Sequence, residues 1–352
     1  MAHMIPIYRQ RDGVNTKEKN QAVFQKSSEI LLRKRSLLIF GEGVTDDVFI
    51  RRLKPLKKGA VRIGFTALES CNWERDIYLA TIACNYSNPA QFRSDVVIRN
   101  SKKILLNEFR TEYESNPNKI IQELTVRLEG MLKNDLIHVN DEESAEFTEQ
   151  MMLIQRKGMP MFEENTVPLL GRWNYAKDLV EDFNKNPEKY AALRAPVKAY
   201  FEYLKTRNID DQKLYDATYN KISFGAILGQ IILLPIALFG AIHCGLFYFA
   251  IKGFVETKFK RSVFWGSTKL VMMLLILGNL NLFLFLLLPD YVGVCGSIIY
   301  FLFIPFSGLI FHNWLSFIKR IVSHRNISTM NVSDILKERL ILKEKITNLT
   351  SK

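Results

Sequence analysis

The sequence predicts an α/β protein whose C-terminal half enters a membrane: a partial, mainly parallel sheet with flanking helices, then a helical region, then transmembrane helices. Three observations lead to this expectation. Strand-like and helix-like segments alternate up to about residue 104, charged helical segments fill 105–221, and long apolar runs dominate 222–318 before a tail at 319–352. Alternation of this kind is the pattern of an α/β sheet, and uncharged runs of about 20 residues are long enough to span a bilayer.

Met4–Tyr8 reads as a short buried strand ending in Arg9, and its abrupt start suggests a chain lacking its first part. Thr16 to Arg35 follows as an amphipathic helix with Ala22, Phe24, Ile30, Leu31 and Leu32 on its apolar face. Leu37–Phe40 is read as a second strand running into the Gly41–Gly43 turn, and Gly59–Leu68 as a helix with Ala60, Ile63, Ala67 and Leu68 inward. Ile77–Cys84 has the near-continuous apolar character of a strand buried on both faces, and Val96–Ile98 is another strand. In such sheets ligands gather at the carboxyl ends of strands, where Arg9 and Gly41–Thr45 would sit.

The region 105–221 reads as helices over Asn118–Lys133, Glu142–Lys157 and Ala176–Asn184, punctuated by Pro187 and Pro196. Glu142, Glu143, Glu146 and Glu149 are read as a solvated helix face. Asn208–Asp216 is polar and closes the soluble part. Ile222–Ile251 then carries no formally charged side chain, and Leu270–Pro289 and Tyr291–Ile318 are spans joined tightly at Pro289-Asp290. The basic loop Lys252, Lys258, Lys260, Arg261 and Lys269 and the basic tail Lys319, Arg320 and Arg325 both belong in the cytoplasm by the positive-inside rule. One crossing by Ile222–Ile251 would put that loop outside, and at roughly 1.5 Å per residue the run is too short to cross twice. It is therefore expected as a re-entrant or interfacial pair bent near Pro235–Gly240, with a single tilted span as the alternative. Ser333–Leu349 is an amphipathic helix with Leu336, Leu340, Lys343 and Ile346 on successive turns.

A formal charge of +12 and a pI near 9.4 favour anionic partners. The apolar runs select a membrane lipid surface over nucleic acid. Cys71, Cys84, Cys244 and Cys295 show neither metal-ligand nor disulfide spacing and are expected as buried small hydrophobes.

A strand feeding a two-glycine turn, with lysines and a new helix start downstream, can build an anion site from backbone N–H groups and helix-end charge. Gly41-Glu42-Gly43 is not a dinucleotide fingerprint, because Asp46 stands where a third glycine is needed. P-loop and GxSxG patterns are absent from the sequence.

Phe40-x-Glu42-Gly43 followed by Leu56-Lys57-Lys58-Gly59-Ala60 resembles the third conserved block of glycerol-phosphate and lysophosphatidate acyltransferases. Ile5-Pro6-Ile7-Tyr8-Arg9 is similar to the second block, Ile77–Tyr86 sits where the fourth is expected, and Phe264-x-Gly266-Ser267-x-Lys269 is similar to a segment of a bacterial membrane-bound subgroup. The resemblance implies transfer of a fatty acyl group from acyl-CoA or acyl carrier protein, as thioester co-substrate, to a lysophosphatidate- or glycerol-phosphate-type acceptor. It requires no further cofactor and no metal, and it implies a multi-pass membrane protein with its soluble domain on the cytoplasmic face of a bacterial inner membrane. By that resemblance Arg9, Glu42, Gly43, Thr45, Lys57, Lys58, Gly59 and Arg62 would hold the acceptor. Glu42 would bond the acceptor or fix the turn. The family's His-x-x-x-x-Asp block is missing: none of His3, His138, His243, His312 and His324 has an Asp five positions on, so no catalytic residue is assigned. Position 41 is Gly instead of Pro and position 45 Thr where Arg is common, which throws more of the phosphate onto Arg9 or Arg62. The competing reading is a non-catalytic membrane protein whose basic domain binds anionic lipid headgroups.

Overall fold

The computed structural model describes residues 16–43, 46–91, 94–162, 166–330 and 332–350. The expected strand Met4–Tyr8 lies outside them. The chain divides into two compact units, one made of residues up to 45 with 51–85 and 96–139, the other of 46–50, 86–95 and 140–352.

In the first unit, α1 (Thr16–Leu32) and α2 (Gly59–Ser70) precede four short strands, β1 (Tyr78–Leu79), β2 (Ile82–Tyr86), β3 (Val96–Asn100) and β4 (Ile104–Leu105). Helices α3 (Arg110–Ser115) and α4 (Pro117–Asp135) follow. Asn116 caps α4 by accepting from the Lys119 N–H at 3.1 Å, with Pro117 in the first turn. Ile120, Ile121, Leu124 and Leu128 bring its apolar stripe onto Val61, Phe65 and Leu68 of α2 and onto Ile77, Ile104 and Leu106. Phe65 stacks on Tyr113 with ring centroids 4.1 Å apart.

The expected parallel sheet is not present. The protein is 72% helical, and its strands form two small antiparallel pairs. β1 pairs with β4 in the register Tyr78↔Leu105 and Leu79↔Ile104, and β2 with β3. The physical reason lies in the connections. The loop 87–95 is shorter than the crossover of a dozen or more residues that parallel pairing needs. The Ile77–Cys84 run breaks at Ala80-Thr81 into two strands, and β2 alternates exposed and buried side chains, as a strand with one covered face does. Leu37–Phe40 pairs into no sheet among the described residues, and Leu38 and Phe40 face solvent.

In the second unit, α5 (Glu142–Gln155), α6 (Leu169–Lys185), α7 (Ala191–Thr206), α8 (Asp211–Tyr219) and α13 (Ser333–Thr350) form a soluble helical core. Asp141 caps α5 through the Ser144 N–H at 2.8 Å, and the Ser144 hydrogen bonds hold its carboxyl below its ordinary pKa. Glu142, Glu143 and Glu146 are solvated, as expected of that face. Pro187 opens a 3-10 turn, whereas Pro196 sits inside α7 and does not end it. The buried seam of α13 is Ile335, Arg339, Leu342 and Ile346, a different face from the expected one beginning at Leu336 and Leu340, and it packs on α5 and α7.

Three helical stretches, Phe224–Lys258, Ser262–Leu287 and Pro289–Ser328, are long and apolar enough to cross a membrane, which marks a membrane protein. The first comprises α9 (Phe224–Gly240), a π-helical turn at Ala241–Gly245, and α10 (Leu246–Lys258). Pro235 and the π turn are both features that bend helices. The others are α11 (Trp265–Leu287) and α12 (Pro289–Ser328), the latter broken at Gly293, whose φ is +73°. Gly240 lies so close to α12 that a Cβ there would meet the Ser307 carbonyl oxygen at 2.2 Å. Beside it, His243 Nε2 meets the Tyr300 hydroxyl at 2.5 Å, and His243 Nδ1 meets the Phe239 carbonyl at 2.9 Å. None of the four cysteines is buried, contrary to expectation, and Cys84 and Cys295 are exposed.

Candidate anion-binding site

The turn singled out in the sequence does meet the lysine segment. The Lys57 N–H donates to the Gly41 carbonyl at 2.8 Å, and Gly43, with φ +71°, lies against the Lys57 side chain. The Glu42 carboxylate accepts the Lys54 N–H at 2.6 Å, so it fixes the turn. The lysine segment is itself pinned to α4 and its following loop: Leu53 N–H donates to His138 Nδ1 at 2.9 Å and Leu56 N–H to Glu129 at 3.1 Å. The Lys133 hydrogen bond foremost, then the one from the Leu56 N–H, holds the Glu129 carboxyl below its ordinary pKa. Lys58 stands before α2 without a side-chain cap bond, Gly59 has open space around it, and Arg62 is exposed. Glu42, Gly43 and Lys57 are thus brought together, while Arg9 and Thr45 lie outside the described residues.

A more strongly charged concavity occurs in the second unit, where the apolar helices meet the soluble core. A cavity of about 610 Å³ is lined by Lys213 and Asp216 of α8, Lys252 and Glu256 of α10, Trp265 and Lys269 of α11, and His312, Lys319, Arg320 and His324 of α12. Local sequence builds each wall. Residues at spacings of three and four share one helical face, so Tyr248, Lys252 and Glu256 point the same way, as do Trp265, Lys269 and Met273. On α12, His312, Ser316, Lys319, Arg320, Ser323 and His324 make a polar stripe at the end of an otherwise apolar helix.

Carboxylates neutralise only part of this charge. Glu256 pairs with Lys269 at 2.6 Å. Asp216 pairs with Arg156 at 3.2 Å and also accepts from the Asn220 amide. Asp210 is occupied in capping α8 through the Gln212 N–H at 2.8 Å. Lys213, Lys252 and Lys319 have no ion-pair contact among the described residues, and the charges of Lys252 and Lys213 act on Lys319 against that of Glu256. His324 Nε2 is buried without a hydrogen-bond partner among them.

The cavity rim depends on one close backbone approach. A Cβ at Gly266 would meet the Pro89 carbonyl oxygen at 2.5 Å, so only glycine lets the loop 87–91 come against the start of α11. The Trp265 indole N–H donates to the Phe259 carbonyl at 2.8 Å, and Lys269 lies 5.4 Å from the Trp265 ring centroid. Of the Phe264–Lys269 segment, Lys269 thus lines the cavity and Gly266 packs against the neighbouring loop.

No family model, curated protein or solved structure matches this chain.

A cluster of unneutralised ammonium groups with histidine and serine donors can take a phosphate or carboxylate oxygen set. Aromatic side chains at the mouth are those that favour a membrane–water interface. The sequence reading uses Lys252, Lys319 and Arg320 only for orientation, and Lys269 for orientation and for the family resemblance. The signal that would have found the site was the helical stripe from His312 to His324, where polar residues recur at three- and four-residue intervals.

Proposed function

We propose that this protein is an integral membrane protein that holds the phosphate headgroup of an anionic lipid in the basic cavity between α8, α10, α11 and α12. The observation that carries this reading is the convergence of Lys213, Lys252 and Lys319 at the point where the apolar helices end, with Glu256 paired to Lys269 within the cavity, Asp216 to Arg156, and Asp210 capping α8. Basic pockets between membrane helices on the cytoplasmic side are suited to anionic headgroups. In this reading α11 and α12 are full crossings, and Phe224–Lys258 is re-entrant. Support comes from the residues flanking that stretch: Asp216 ahead of it and Lys252 near its end line the same cavity, and the Arg320 guanidinium donates to the Asn220 carbonyl at 2.8 Å. Lys269 at the start of α11 and Lys319 towards the end of α12 share it too. The charge bias puts that face in the cytoplasm.

The test is lipid retention by the purified full chain in detergent, read by native mass spectrometry. Phosphatidylglycerol should be kept in preference to phosphatidylcholine, and Lys252→Ala with Lys319→Ala should weaken retention by about fivefold per cation removed. Equal retention of the two lipids by the unaltered protein overturns the proposal.

Acyl transfer from acyl-CoA or acyl carrier protein to a glycerophospholipid precursor is the second reading, supported by the meeting of Glu42, Gly43 and Lys57. It ranks lower because the parallel sheet implied by the resemblance is absent and Glu42 is taken up by the Lys54 N–H. Incorporation of labelled acyl groups into lysophosphatidate by the purified chain would reverse that ranking.

A further inference from the structure

We propose that the segment Arg33–Phe40 of the first unit is an interfacial membrane anchor. Leu38 and Phe40 would enter the headgroup–acyl boundary of an anionic leaflet, and Arg33, Lys34, Arg35 and Lys57 would lie over its phosphates. The inference uses none of the cavity residues and stands independently of the headgroup site.

The geometry begins at the end of α1. Lys34 adopts a left-handed conformation, φ 57°, and the Lys34 and Arg35 N–H groups close on the Leu31 and Ile30 carbonyls. This is a helix stop that glycine usually supplies. Here its use by lysine leaves three cations in a row, all exposed, where the chain leaves the helix. Exposure alternates along the segment beyond, so alternate side chains share a face. Leu37 and Ile39 are half-buried, whereas Leu38 is 71% and Phe40 85% exposed. Lys57 is added to the same neighbourhood by its N–H bond to the Gly41 carbonyl.

Single exposed apolar residues are ordinary. Two large ones on one side of a segment, flanked by four exposed cations, are not explained by the unit's own packing. Cations beside apolar side chains match a surface with phosphates above acyl chains. A peptide groove would call for a concave apolar wall, and neither the headgroup cavity nor the one lined by Glu143, Arg194 and Lys198 includes these residues. The unit is also joined covalently to helices fit to cross a membrane, so a bilayer is held near it at high effective concentration.

The experiment places a benzophenone-bearing amino acid at Phe40, by codon suppression in the full chain, and reconstitutes the protein in nanodiscs of phosphatidylglycerol or of phosphatidylcholine. Illumination should give lipid adducts in phosphatidylglycerol discs and several-fold fewer in phosphatidylcholine discs. The same group at exposed Glu69 serves as the background control. Replacing Arg33, Lys34 and Arg35 by Gln should lower the phosphatidylglycerol yield by up to about fivefold per cation. Adducts at position 40 no more frequent than at position 69 overturn the anchor. Equal yields in the two disc types, or no effect of the Gln replacements, overturn the role of the cations. Because the cavity lysines are untouched, failure here leaves the lipid-retention result standing, and the reverse also holds.

Discussion

Arg339 and Asp211 meet at 2.8 Å, with side chains 1% and 2% exposed, and so tie the last helix of the chain to the start of α8. Asp211 also accepts from the Tyr200 hydroxyl at 2.6 Å, and Arg339 donates to the Ile154 carbonyl at 3.0 Å. Removing one partner strands a buried charge, which typically costs 3–5 kcal/mol, about the loss expected for Arg339→Met. The double variant Arg339→Met, Asp211→Leu should lose less than the single one. Unfolding in detergent, followed by circular dichroism, measures both.

Asp182 lies in a second charge network, with Lys189 at 2.5 Å and the Tyr190 hydroxyl also donating to it. The Lys189 bond foremost, then the Tyr190 bond, brings its pKa down to about 2 from the ordinary 3.8. A depressed carboxyl stabilises the folded state above its unfolded pKa and loses that contribution as pH falls through the folded one. Asp182→Asn should therefore lower the unfolding midpoint at pH 7, and the difference from the unaltered protein should shrink between about pH 4 and pH 2. A difference that stays constant across that window would contradict the assignment.

Gly240 and Gly229 lie on the same helix but face different surroundings. A Cβ at Gly240 collides with the Ser307 carbonyl, whereas one at Gly229 meets nothing within 4 Å. Gly240→Ala should destabilise the contact of α9 with α12 by about 1–3 kcal/mol, the ordinary cost of overpacking. Gly229→Ala should be neutral. Thermal unfolding of the two variants in detergent separates them.

The proposed arrangement of two crossings and a re-entrant stretch makes a definite labelling prediction. A cysteine introduced at Lys258 should react with a membrane-impermeant thiol reagent only from the cytoplasmic side, with the modified peptide identified by mass. Modification only from the outer side would require Phe224–Lys258 to cross.

The helices were legible where an apolar stripe ran along them. The helix read over Asn118–Lys133 runs almost to the observed ends of α4, Pro117 and Asp135, on the strength of its apolar stripe. Sheet topology was not legible, because a strand is defined by its partner. Leu37–Phe40 has strand character in isolation, yet no described segment pairs with it into a sheet. The face of α13 was misread for a related reason: buried Arg339 interrupts the apolar stripe, so Leu336 and Leu340 suggested a neighbouring seam. The Gly41 turn and its lysines were found, but its glutamate closes the turn on Lys54. The cavity escaped notice because its cations are spread over α8, α10, α11 and α12, and only folding collects them.

Arg339 has a consequence for the order in which this protein is made. Its partners at Ile154 and Asp211 are synthesised long before it, and every apolar helix lies between them and it. During synthesis, therefore, Asp211 waits without its guanidinium until the final helix emerges. The segments bound for the bilayer are already out of the ribosome by then. The helical bundle is consequently a late-closing clasp: the apolar helices are made first, and α13 then locks a core begun at α5 and α8.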